Sequence, residues 1–153
     1  MIRSRGYRGY ISSRSIRGQD VPHQFQNMVV REYCRRNKIQ FQLSATEYAV
    51  PHCYIMLTEL LNSLGSIQGI VLYSQFLLPY DRLVRRKVYD QVIEGGCELH
   101  AALENTAIRT AVDINSFEDS IAIVNLLPEV PMAGLYDKSN KSEELETFKN
   151  LVL

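Results

Sequence analysis

The chain has 153 residues, 46% of them hydrophobic and 22% charged, and its 17 Lys and Arg balance its 17 Asp and Glu. That length supports one hydrophobic core and no second full domain, and the composition favours neither a disordered chain nor a membrane protein. Residues 1–38 carry nine basic side chains against two acidic ones, and the rest carries eight against fifteen; the basic segment suits an anion or a partner surface, or is simply solvated.

Residues 7–12, YRGYIS, are aromatic, β-branched and glycine-flanked, which predicts a first strand. SRSIRGQD breaks the pattern, and Asp20 before Pro22 predicts a helix start by side-chain capping with proline in the first turn. Phe25, Met28, Val29 and Tyr33 keep helical spacing, and Arg31, Arg35 and Arg36 lie where positive charge favours the helix end. IQFQLS alternates with period two as a second strand. TEYAVPHC reads as a loop, and Met56, Leu57, Leu60, Leu61 and Leu64 form a second helical stripe stopping at Gly65.

GIVLYS is a continuous apolar run, the pattern of a strand covered on both faces. A third helix is predicted from Asp81 to Glu94, with Leu83, Val84, Val88, Val92 and Ile93 inward and Gly95-Gly96 ending it; CELHAAL is the fourth strand. Ser116 with Asp119 reads as a capping box before IAIVNLL, LPEVPMAGL as a linker, and SEELETFKNLVL as an amphipathic helix. Alternating strands and helices predict an α/β fold: a three-layer, open, mainly parallel β-sheet of four or five strands flanked by helices. Residues 1–125 are expected to form one domain, and 126–153 a linker and C-terminal helix packing on the domain or on a partner subunit.

The apolar runs are too short to span a bilayer and no signal-type stretch follows the basic N-terminus, so a cytoplasmic location without membrane attachment is expected. Cys34, Cys53 and Cys97 are odd in number and lack CxxC spacing, which reads as reduced thiols. No HxH, HExxH or CxxC spacing supports a metal site, and no cofactor motif is present.

In an open parallel sheet, ligands bind in the crevice beyond the carboxyl ends of the strands. That rule nominates Ser12, Ser13, Arg14, Ser15 and Arg17 after the first strand, and Glu47, Tyr48, His52 and Cys53 after the second. Tyr73, Ser74 and Gln75 follow the third, with His100 and Glu104 on the fourth. SSRSIRG sets hydroxyls, guanidinium groups and a glycine before a helix, which suits a phosphate or carboxylate; the serines forming only turn and cap bonds is the equal alternative. His100 shares a strand face with Glu98 and precedes Glu104 by four residues, so it reads either as an acid–base group or as a structural histidine. His52-Cys53 is a weaker nucleophile pair, and His23 is expected at the rim or in solvent.

GYISSRS, QFQNMVVREYCRRNKI and GIVLYSQFLLP, within residues 7–104, resemble in layout the N-terminal catalytic domain of serine recombinases of the resolvase and invertase type. The resemblance implies a resolvase-like fold. In register with that family's GYxRxS, its arginine position is Ser12 and its nucleophile position is Arg14; its acidic-plus-arginine motif after strand three becomes FLLPYD, with DRLVRR lying later in a helix. An active recombinase is therefore not expected.

GYRGYISSR, VPHQFQN, LSATEYA and GIVLYS are also similar to recurring stretches of the sporadic carbohydrate cluster family, small bacterial proteins encoded among surface-polysaccharide and nucleotide-sugar genes. This resemblance implies a role in carbohydrate biosynthesis with a phosphorylated or nucleotide-linked sugar as ligand, and an isomerase, epimerase or transferase step as the reaction. Ser12, Ser13, Arg14, Arg17, Tyr73 and Ser74 would hold the substrate, and His100, Glu47 and Glu104 would move protons. The alternative is a non-catalytic dimeric partner or regulatory subunit of a polysaccharide enzyme. A homodimer is expected in either case, and nucleic-acid binding is the least favoured reading, because the whole chain has no excess positive charge.

Overall fold

A computed structural model describes residues 5–127 and Phe148. Strand β1 (Tyr7–Ser12) buries its last four residues, and Gly9 is required where it runs closest to its neighbour, because a Cβ there would collide with the Ser44 hydroxyl. Helix α1 (His23–Arg36) follows, then strand β2 (Phe41–Glu47), helix α2 (Ile55–Asn62) and strand β3 (Gly69–Leu72). Every residue of β3 is buried, as a continuous apolar run requires. Helix α3 (Arg82–Glu94) starts at Asp81, whose carboxylate accepts from the N–H groups of Leu83 and Val84 at 2.8 and 3.2 Å. Strand β4 (Glu98–Ala101), strand β5 (Thr106–Ile108) and helix α4 (Asp113–Asn125) complete the order.

The five strands lie in the order β2-β1-β3-β4-β5, the first four parallel and β5 antiparallel to β4. The mainly parallel α/β sheet expected from the sequence is thus present, closed on one side by a hairpin strand. Helix α1 covers one face, where Asn27 accepts from the Ser44 hydroxyl and Tyr33 meets His100. The other face carries α2 packed on α3, with α4 beside α3. Glu118 of α4 takes Arg85 Nε and Nη2 at 2.8 and 2.6 Å and the Tyr89 hydroxyl at 2.5 Å, while Tyr89 and Phe117 meet edge to face at 5.6 Å. A buried ion pair with this many hydrogen bonds fixes the α3–α4 pairing.

Four expectations are corrected. Asp20 does not cap α1: it accepts from the Ser15 hydroxyl, and the helix begins at His23 after Pro22. The α1 stripe lies one residue on, with Gln26, Val30, Tyr33 and Cys34 buried and Phe25 and Met28 48% and 66% exposed, because Gln26 is drawn inward by three hydrogen bonds. Strand β2 runs on through Glu47, three residues beyond the end of the IQFQLS alternation and into the TEYAVPHC stretch expected as a loop. Ser116 lies within α4; Asp113 does the work at its start, its carboxylate accepting from the N–H groups of Arg109 and Thr110 at 2.9 Å each.

Among the described residues no helix is long and apolar enough to cross a membrane. The linker and C-terminal helix expected at 126–153 lie outside the described residues except for Leu126, Leu127 and Phe148. Phe148 is fully buried, its ring edge-on to Tyr54 at 6.3 Å.

Candidate functional site

The chain turns from β1 to β2 on one side and to β3 on the other, so the sheet has its topological switch point between β1 and β3, where a crevice opens at the carboxyl ends. The loop leaving β1 is held at both ends by one side chain. Gln26 accepts from Ser12 N–H at 3.1 Å and donates to the carbonyls of Ser12 and Val21 at 2.8 Å each. Within the loop, Ile16 and Gln19 exchange backbone hydrogen bonds across Arg17 and Gly18, whose φ angles of 51° and 75° make a two-residue turn. The glycine was visible in the sequence; the turn was not, because its flanking residues do not alternate.

Both arginines of this loop lean across the crevice onto the β3 exit. Arg14 donates from Nη2 to the Leu77 carbonyl at 3.3 Å and from Nε to Ser12 Oγ at 3.2 Å, with its guanidinium 4.6 Å from the centre of the Tyr54 ring. Burial disfavours its charge, but the Tyr54 and Tyr10 hydroxyls and Glu47 outweigh that, and its pKa lies above the ordinary arginine value. Arg17 stacks on Phe76 at 4.8 Å and donates to Asn125 Oδ1 at 3.2 Å. Among the described residues, two cations therefore stand at the switch point.

The serines of the loop are engaged locally. Ser12 Oγ accepts from Arg14, and the Ser15 hydroxyl donates to Asp20. Ser13 Oγ lies 2.8 Å from His23 Nε2, both residues exposed. A hydroxyl against an imidazole at the mouth of the crevice is the arrangement of a nucleophile with its base. The sequence does not reveal this pair, because ten positions separate the two residues and only the closed loop brings them together.

The proposed acid–base residues are placed differently. Glu47 is fully buried; its carboxylate accepts from the Tyr10 hydroxyl at 2.9 Å, from Met56 and Leu57 N–H at 3.0 and 3.1 Å and from Tyr48 N–H at 3.2 Å, with the Cys53 thiol at 3.6 Å. It is the cap of α2, which has no local side-chain cap, and five donors occupy its two oxygens. The Cys53 thiol is directed at the Glu47 carboxylate. Glu104, in the β4–β5 turn, accepts from the Ser74 hydroxyl at 2.6 Å and Gln75 N–H at 3.0 Å, tying down the β3 exit. Tyr73 is buried beneath Phe25, edge to face at 6.5 Å, and burial, then Glu104, raises its pKa.

His100 points away from the crevice. It shares a strand face with Glu98, as the sequence implied, but turns toward Glu98 at the strand start and not toward Glu104. Its Nδ1 lies 2.7 Å from the Tyr33 hydroxyl, its Nε2 lies 2.7 Å from Glu98 Oε2, and the Tyr7 hydroxyl donates to that same oxygen at 2.9 Å. Tyr7 and Glu98 open β1 and β4, so this network lies toward the amino ends. The expectation that Arg14, Glu47 and His100 share one mouth is corrected for His100. Burial lowers the His100 pKa; Glu98 stays ionised below the usual carboxylate range because hydrogen bonds from His100 and Tyr7 outweigh its own burial. Among the described residues, no three His, Cys, Asp or Glu side chains gather as metal ligands, and the three cysteines are free and buried.

No protein-family profile and no curated protein matches this chain. Among solved structures it is similar to the N-terminal catalytic domain of TP901-1 integrase, with a TM-score of 0.52 and 15% identity over 81% of this chain and 98% of that one. The likeness is one of fold, and it bears out the resolvase-like α/β architecture.

Proposed function

We propose that the crevice between the carboxyl ends of β1 and β3 binds a phosphorylated or nucleotide-linked sugar, and that the protein serves surface-polysaccharide or nucleotide-sugar biosynthesis. The observation that carries this reading is the pair Arg14 and Arg17, both delivered by one loop to the switch point and both resting on the β3 exit. Planar guanidinium groups held by aromatic rings are preorganised to take a phosphate. The exposed ring of Phe25 over Tyr73, at the end of β3, offers a sugar an apolar face. The carbohydrate part of the reading rests on the resemblance of GYRGYISSR, VPHQFQN and LSATEYA to the sporadic carbohydrate cluster family.

Of the three reaction types, transfer fits best. Glu47 and His100, the carboxylate and imidazole that would have moved protons for an isomerase or epimerase, are committed elsewhere, which leaves His23 as the imidazole at this mouth, set against a hydroxyl. Ser13 with His23 is the exposed reactive pair beside Arg14.

Isothermal calorimetry with UDP-glucose and glucose 1-phosphate tests the reading. Arg14→Ala should weaken binding about tenfold or more, the effect of losing a charge-assisted hydrogen bond. Because Arg14 also packs on Tyr54, Arg17→Ala serves as a second variant that leaves that packing alone. Unchanged affinity in both variants overturns the proposal. A wild-type chain that ignores both probes and sediments as a dimer favours the partner-subunit alternative.

A further inference from the structure

The amino ends of the strands hold a recess of about 380 Å³, on the opposite edge of the sheet from the crevice, lined by Tyr7, Lys38, Gln40, Gln68, Glu98 and Arg109 among others. We infer that this recess is a second binding site, for a small hydroxylated anion such as a sugar phosphate or sugar acid, in which Lys38 and Arg109 take the anionic group and Glu98 accepts from a hydroxyl.

Glu98 carries the inference. Its Oε2 is filled by two donors, His100 and the Tyr7 hydroxyl, and the imidazole is itself held by Tyr33. The partners assign the tautomer: Tyr33 donates to Nδ1, and Nε2–H donates to the carboxylate. Three aromatic side chains thus fix one carboxylate that remains about one third exposed. Its other oxygen, Oε1, faces Arg109 at 3.7 Å, beyond hydrogen-bond length and on the recess side. A rigid carboxylate with one oxygen open to a cavity selects a ligand that brings a donor.

The charges select the rest. Lys38 and Arg109 against Glu98 leave the recess one positive charge, and among the described residues the guanidinium of Arg109, 55% exposed, meets Glu98 at 3.7 Å. An all-cationic ligand is repelled, a bare hydrocarbon leaves three charged groups desolvated, and an anion carrying hydroxyls satisfies all three. Lys38 adds an independent sign. It takes φ 54° just after α1, with its N–H on the Arg35 carbonyl and the next N–H on the Cys34 carbonyl, a helix end at which glycine is the usual residue. A lysine there costs backbone strain, and Lys38 is one of the residues that line the recess.

This site shares no residue with the carboxyl-end crevice and does not rest on the function proposed for it. The test is a titration of the isotope-labelled full chain with glucose 6-phosphate and, separately, inorganic phosphate, followed by amide NMR. It is run on Arg14→Ala, Arg17→Ala doubly substituted protein, so that the crevice is silenced. Saturable shifts at Tyr7, Lys38, Gln68 and Arg109 are expected, tighter for the sugar phosphate than for phosphate. Lys38→Gly and Arg109→Ala should each weaken them about tenfold. Glu98→Gln should erase the preference for the sugar phosphate. Lys38→Gly relaxes the backbone, so its loss of binding cannot be assigned to misfolding. Shifts that fail to saturate, or that survive both cation substitutions, overturn the site, and equal affinity for the two probes overturns the role of Glu98.

Discussion

The two ends of the sheet use their polar groups in opposite ways. At the carboxyl ends the carboxylates, Glu47 and Glu104, are consumed as caps and loop ties, and the guanidinium groups of Arg14 and Arg17 span the crevice. At the amino ends a carboxylate is the held group, with cations standing around it. A buried carboxylate that accepts from several N–H groups stabilises the fold because the fold supplies its donors; one that stays partly exposed keeps an acceptor for something else. Which role a glutamate has is set by the number of donors it meets, and that number is a tertiary quantity.

The largest effect should come from breaking the carboxyl-end arrangement. Glu47→Ala leaves the first turn of α2 and the Tyr10 hydroxyl without their acceptor, and urea unfolding should show a loss of about 3 kcal/mol, whereas Glu98→Ala, at a position one third exposed, should cost clearly less. Equal costs would erase the contrast between the ends.

Acid should act on the amino end. The folded pKa of His100 lies below its ordinary value of 6.5, mainly through burial, and that of Glu98 lies below its ordinary 4.5. For both groups the unfolded chain binds protons first, so their contribution to stability is complete above the ordinary values and is lost as pH falls through the lowered ones. Protection factors at β4 and the end of α1, which correct hydrogen exchange for its own pH dependence, should therefore fall below pH 6.5, and His100→Gln should flatten the upper part of that dependence. The smallest effect is at Lys38: glycine there removes left-handed strain and should raise stability by about 0.5 kcal/mol, read from the same urea transitions.

Much of the architecture was legible because it follows from backbone chemistry. GIVLYS announced a doubly covered strand, Asp81 a helix start, and Gly96, at φ 68°, a helix end. Two of the errors share a cause. Gln26 and Glu47 are polar residues whose partners lie elsewhere in the fold, and each moved a boundary or a helix phase that an apolar pattern alone had fixed, whereas Asp113 serves the N–H groups of Arg109 and Thr110 close by in the chain. The site was legible in its arginines and rim loops. It was not legible in His100, since period two gives the face of a strand residue but not the end toward which a long side chain turns, nor in Ser13 with His23, which only loop closure brings together.

The position of β1 bears on how the chain is made. It leaves the ribosome before the other four strands of the sheet, yet it lies between β2 and β3. Until synthesis has passed Glu47 both of its edges are bare, and the second stays bare until Leu72 has emerged. A nascent chain of intermediate length therefore displays an unpaired, tyrosine-rich edge, the kind of surface that chaperones cover and that neighbouring nascent chains on a polysome can join.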